Sequence, residues 1–149
     1  MLALAFHLGR DRFALRCADV VEVVPRVHLR DIPKAPPYIP GMFTYRGAIV
    51  PVIDLCILLW STPCADRMSS RIILVRQPRG TKVIGLYAER VTEAIELDTA
   101  RAAPPGIEIA DAPYLGEVFF TDDDKMIQLV RIDQLFSGAS KAILAGEAQ

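Results

Sequence analysis

The sequence has little of what catalysis usually draws on. Only two histidines, His7 and His28, are available as bases, and neither accompanies a serine with a nucleophile signature. Ser69 and Ser70 read as ordinary loop residues. There is no Walker loop, and Gly9, Gly80 and Gly85 do not make a dinucleotide fingerprint. The cysteines are three, Cys17, Cys56 and Cys64. Their odd number and wide spacing exclude a secreted disulfide framework and a CxxC site, so the expectation is small buried side chains. No metal-ligand cluster and no cofactor is expected.

Charge of one sign is also missing. Seventeen basic and eighteen acidic residues leave a formal net charge of -1, with no long basic run. Nucleic-acid binding needs a positive patch that displaces counterions, so it is not expected. No apolar run approaches the ~20 residues of a membrane helix. Charge enters at Arg10, Asp11 and Arg12, too early for a signal-peptide core. The expectation is a cytoplasmic protein without membrane insertion, able to work beside a membrane by holding a membrane protein's cytoplasmic part.

What is present is apolar and strand-forming. Hydrophobic residues make up 52% of the 149, enough for one ordinary domain with a real core. The central stretch carries most of the information. Met42–Tyr45 and Ala48–Ile53 flank Arg46-Gly47, which predicts a tight hairpin with Arg46 at its tip. Arg46 is either a solubilising turn residue or a contact residue; arginine pairs with carboxylates in a geometry that lysine lacks. Pro51 cannot donate to a ladder and predicts an edge or a bulge. Asp54 is placed to cap a short helix over 55–60.

Elsewhere, strands are expected over 2–8, 13–16, 71–76, 81–88, 114–120 and 126–130. Turns are expected at 9–12, at Gln77-Pro78-Arg79-Gly80 and at Asp122-Asp123-Asp124. Cys17–Val24 suits a helix or a strand, and we prefer a short helix running into an extended piece that ends at Pro25. The Pro36-Pro37 connector excludes a helix. The acidic trio lacks the alternation of a calcium loop and reads as a solvated turn. A short helix begins near Ile132. Two crude units of about five short strands each suggest small closed barrels.

These residues together resemble the CheW family of chemotaxis coupling proteins, also found as the regulatory domain of the histidine kinase CheA. The strongest match is Pro37-Tyr38-Ile39-Pro40-Gly41 through Arg46-Gly47-Ala48-Ile49-Val50-Pro51-Val52-Ile53-Asp54-Leu55. Phe6-His7-Leu8-Gly9, Val20-Val21-Glu22-Val23, Arg71–Val75 with Val83–Leu86, and Tyr114-Leu115-Gly116 with Leu129–Asp133 follow in order. The resemblance implies a mainly β fold of two five-stranded SH3-like or OB-like barrels on a shared hydrophobic seam, with short helices. The first strand and the C-terminal segment would be exchanged between the halves. One unit is expected at about 9–66 plus 133–145, the other at about 1–8 and 67–132.

It also implies a non-enzymatic adaptor that couples the cytoplasmic tip of a chemoreceptor to the regulatory domain of a CheA-type kinase, in membrane-associated arrays. Carried over by position, the receptor-facing residues are Val20, Glu22, Gly41, Arg46 and Ile72, with burial in the core the competing reading for Val20 and Ile72. Met42 and Phe43 are the kinase-facing candidates. The chain departs from the family pattern at Thr44 and Tyr45, which replace Asn-Leu. It departs again at Cys56-Ile57-Leu58-Leu59-Trp60, which replaces a stretch with arginines and Phe-Gly. Leu58, Leu59 and Trp60 are therefore candidates for an added protein contact or self-association, and a specialised, non-flagellar pathway is the expectation. The rival readings are an array-lining subunit that binds only the kinase, and an enzyme on a small barrel.

Overall fold

The computed structural model describes residues 1–77 and 82–135. The chain is mainly β, with ten strands among the described residues: β1 (Leu2–Leu8), β2 (Asp11–Arg16), β3 (Val20–Pro25), β4 (Gly41–Tyr45), β5 (Ala48–Asp54), β6 (Arg71–Arg76), β7 (Val83–Glu96), β8 (Ala102–Ala103), β9 (Leu115–Phe120) and β10 (Met126–Val130). Two short helices, α1 (Leu55–Trp60) and α2 (Ile132–Leu135), follow β5 and β10. The Gln77–Gly80 turn lies outside the described residues beyond Gln77. So does the C-terminal segment beyond Leu135.

β7 holds the two halves together. Its residues 83–88 pair antiparallel with β6, and Gly85–Tyr87 also pair in parallel with β5. Its residues 89–96 pair with β1. The changeover falls at Arg90, whose φ is +47, opposite a register shift between Ala5 and His7. Three β7 residues, Arg90, Val91 and Thr92, lie opposite Phe6 alone; extra residues at such an irregularity bend the strand, so one strand serves two sheets.

The first sheet runs β4-β5-β7-β6-β3. The second runs β7-β1-β2-β10-β9-β8, with β2 and β10 parallel. The expected division placed β2 with the first unit and β6 with the second; in the backbone pairing β2 lies between β1 and β10, and β6 between β3 and β7. The physical reason is the length of β7, which carries its early residues to β6 and its late ones to β1.

Alternation along β1 and β2 sorts the core. Phe6, Leu8, Phe13 and Leu15 join a large cluster with Val50, Val52, Ile53, Ile72, Leu74, Ile84 and Leu86. Ala3, Ala5 and Ala14 enter a smaller one with Leu97, Phe119, Ile127 and Leu129. Successive side chains on a strand point to opposite faces, so this β-ribbon is a wall between two cores.

The expected closed barrels are not closed by strand pairing. Among the described residues β3 has β6 on one side and no strand ladder on the other. The proline-rich connector takes the chain away from β3 and returns it as a single bridge, Arg30 with Met42, with both N–H···O distances 2.8 Å. Cys17–Asp19 forms one turn of 3-10 helix, and Val20 onward is strand rather than helix. β-branched valines pairing with β6 favour the extended form.

Candidate functional site

The Arg46-Gly47 hairpin forms as expected. Tyr45 pairs with Ala48, leaving two residues in the turn, with φ of +49 and +79. Two successive positive φ values match the right-handed twist of the flanking strands. Arg46 therefore stands at the tip, with its side chain 76% exposed.

This tip leans across the open edge of the first sheet toward β3. Arg46 Nη2 lies 3.2 Å from Glu22 Oε1, and the Tyr45 hydroxyl donates to the same oxygen at 2.5 Å. The Arg46 guanidinium sits over the Tyr45 ring, 5.2 Å from its centroid. The carboxylate that accepts the phenol proton also pushes the Tyr45 hydroxyl above the usual tyrosine range. Glu22 and Arg46, both in the receptor-facing set that the resemblance implies, form one exposed cluster. Tyr45 was seen only as a departure from the family pattern, and it is the third member.

The other nominated residues divide. Val20 opens β3, half-buried against the large core. Ile72 is 1% exposed and belongs to the core, which corrects its expected role as an apolar surface contact. The strand Arg71–Arg76 is buried on both faces over Ile72–Val75, so Ile72 has no solvent side. Gly41 is buried, and a Cβ there would lie 2.5 Å from the Arg30 carbonyl oxygen. The close approach it permits is to this chain's own 29–30 segment. On β4, Phe43 packs against the core, while Met42 is half-buried and bridged to Arg30.

On α1, Leu58 and Leu59 are half-buried against the core. Trp60 is 50% exposed, with its indole Nε1 donating to the Leu8 carbonyl at 2.9 Å. That bond pins the end of α1 to the β1–β2 turn. At the other end Asp54 caps as expected: Oδ1 accepts from Ile57 N at 3.0 Å. Its Oδ2 accepts from Cys64 N at 3.1 Å, a second task the sequence did not reveal. Among the described residues, Asp54, Cys56 and Cys64 are the one group whose donor atoms lie close enough to hold a metal ion, within 4.8 Å of one another. Both Asp54 oxygens already accept backbone N–H bonds. The acidic trio forms a turn held by Thr121 and by an Arg101–Asp122 pair at 3.0 Å.

The described residues form a small two-core β framework that displays an arginine–carboxylate–phenol cluster on an exposed hairpin. The chain belongs to the CheW-like domain family, whose model matches residues 2–140. It is 30% identical over 135 residues to a probable chemotaxis protein CheW of Rhizobium etli, covering 90% of this chain and 86% of that one. It is 28% identical over 142 residues to the protein FrzA of Myxococcus xanthus, covering 94% and 88%. Its fold matches the crystal structure of the scaffolding protein TtCheW from Thermoanaerobacter tengcongensis with a TM-score of 0.81 and 32% identity, over 93% of this chain and 89% of that one. It is a CheW-like coupling or scaffold protein of chemotaxis and chemotaxis-like pathways.

Proposed function

We propose that this chain bridges the cytoplasmic tip of a chemoreceptor and the regulatory domain of a CheA-type histidine kinase, without chemistry of its own. The observation that carries the reading is the Glu22–Tyr45–Arg46 cluster, in which two elements distant in sequence share one exposed carboxylate. The receptor tip docks there. Arg46 supplies a charge able to leave Glu22 for a partner carboxylate, and Val20 supplies apolar contact beside it. Gly41 and Ile72 shape this face from within. The kinase domain takes the β4 side, with Met42 its contact and Phe43 holding the strand to the core.

Signal passes by linkage. The bridge transmits only what its partners' active and inactive states differ by in contact free energy. No helix among the described residues is long and apolar enough to cross a membrane, so recruitment to a membrane array rests on the receptor. Both faces belong to the first sheet, the receptor's at the edge between β3 and the hairpin tip and the kinase's on β4 around Met42.

The test is a titration of a receptor-tip fragment and a kinase regulatory domain, separately, against wild type, Arg46→Ala and Met42→Ala. The expected result is a loss of tip affinity of tenfold or more in Arg46→Ala with kinase affinity kept, and the reverse in Met42→Ala. Equal affinity of wild type and Arg46→Ala for the tip would overturn the assignment of that face.

A further inference from the structure

α1 and the loop behind it bring together two sulfur atoms that the sequence keeps eight positions apart. Cys56 Sγ and Cys64 Sγ are 2.7 Å apart, and both residues are buried, at 3% and 7% exposure. That separation exceeds the ~2.05 Å of a disulfide bond and is close for two free thiols. The closeness is built in. Ser61 ends α1 in the left-handed region at φ +60 and donates its N–H to the Ile57 carbonyl at 2.9 Å, which turns the chain back. Asp54 then holds both ends, accepting from Ile57 N and Cys64 N. Glu89 fixes the next residue by accepting from Ala65 N.

We propose that Cys56 and Cys64 are a reversible, peroxide-responsive thiol pair that closes to a disulfide across α1 and its following loop. This inference is independent of which partners the chain bridges.

The oxidant is hydrogen peroxide or a small organic peroxide. Cys56 lines a groove of about 350 Å³ with Gly9, Trp60 and Glu89, the side from which the peroxide would approach. The Cys56 sulfur takes one oxygen from the peroxide as the O–O bond breaks, giving a sulfenic acid and one water. The Cys64 sulfur then attacks the Cys56 sulfur. The S–O bond breaks, and the departing hydroxide takes the Cys64 proton as a second water. Two thiols and one H2O2 become one disulfide and two waters.

Hydrogen bonding to the Cys56 sulfur, burial and the Asp54 carboxylate push the Cys64 thiol up. Contact with the Cys56 sulfur is what assigns Cys64 the second step, and the groove beside Cys56 gives Cys56 the first. A metal reading of the same cluster is weaker, because both Asp54 oxygens are engaged by N–H donors and the sulfurs are too close together to flank an ion. Cys17, half-buried and free, serves as an internal control.

The experiment treats reduced, desalted full-length protein with hydrogen peroxide, alkylates it under denaturing conditions and counts thiols by mass. The expected result is a fall from three free thiols to one. The peptide map should show a Cys56–Cys64 cross-link 2 Da lighter than the two thiols, Cys17 alkylated, and dithiothreitol restoring all three. Trp60 is the sole tryptophan and shares the Cys56 groove, so its emission should change on oxidation and return on reduction. Cys17→Ser should keep the cross-link. Cys64→Ala, checked for folding by circular dichroism, should abolish it.

Three thiols persisting after treatment, a cross-link through Cys17, or overoxidation of Cys56 without a cross-link would each overturn the proposal. So would thiols that resist peroxide only until a zinc chelator is added. Each outcome is read on wild type, so the result does not depend on the folding of a variant.

Discussion

The Tyr45 hydroxyl donates to Glu22 Oε1 at 2.5 Å, across the edge where β3 and the β4–β5 hairpin share no strand ladder. This side-chain bond, with the Arg46–Glu22 pair, does for the open edge what backbone pairing does elsewhere. The hairpin tip is thereby held in one place while remaining exposed. An interface needs such a rigid presentation, because ordering a loose loop on binding would cost affinity.

The first prediction concerns that phenol. A carboxylate acceptor favours the protonated hydroxyl, so Tyr45 should titrate above ordinary tyrosine. Glu22→Gln removes the charge and should bring the Tyr45 titration down toward the ordinary range. NMR of ring-labelled tyrosine resolves it from the other three tyrosines. An unmoved titration in Glu22→Gln would remove the hydrogen bond from the account.

A second prediction separates folding from recognition. The Arg46–Glu22 pair is exposed, 76% and 42% at the side chains, and such pairs contribute about 1 kcal/mol or less. Arg46→Ala should leave urea stability within about 1 kcal/mol of wild type while receptor-tip binding falls. Gly41→Ala should behave oppositely. Its Cβ would meet the Arg30 carbonyl at 2.5 Å and the Leu29 Cβ at 2.9 Å. Strain against backbone places it among the substitutions that cost about 2 kcal/mol or more. Loss of binding in Gly41→Ala should follow loss of stability, and denaturation midpoints check this.

Asp54 gives a third. It is 3% exposed, and its two oxygens satisfy Ile57 N and Cys64 N. Asp54→Ala removes a helix cap and leaves a buried donor unpaired, for a combined loss of about 2–4 kcal/mol. Asp54→Asn should recover part of it, because the amide oxygen still accepts one of the two bonds. Chemical denaturation of the two variants side by side tests this.

The fourth is a pH dependence. Burial lowers the His7 pKa, with Arg90 and Arg12 adding to the effect and Glu89 opposing it. The folded chain therefore binds the His7 proton less readily than the unfolded chain, whose histidine titrates near 6.5. The contribution is fully present above that value and is lost as pH falls through it toward the lower folded pKa. Between pH 7.5 and 5.5 wild type should lose more thermal stability than His7→Gln. Equal losses would contradict the assignment.

Legibility in the sequence followed how local each signal was. The Arg46-Gly47 turn was readable because two strand-forming runs bracket a residue pair suited to positive φ. The Asp54 cap was readable because its acceptor and donor lie three residues apart. Ile72 was not, because Ile72–Val75 is apolar throughout and carries no alternation to mark a solvent face. The grouping of strands escaped notice because it turns on a bend at Arg90, where nothing in the side-chain pattern distinguishes one long strand from two short ones. The Glu22–Tyr45 bond spans 23 positions and the Cys56–Cys64 contact depends on the reversal at Ser61. Neither is encoded by spacing alone.

The most direct measurement of the central claim is co-sedimentation of three components: a receptor-tip fragment, a kinase regulatory domain and this chain. A ternary species that requires the chain is expected, replaced by a kinase–chain pair alone when Arg46→Ala is used. A kinase–chain pair with wild type and no receptor tip in it would contradict the bridging role and leave an array-lining subunit.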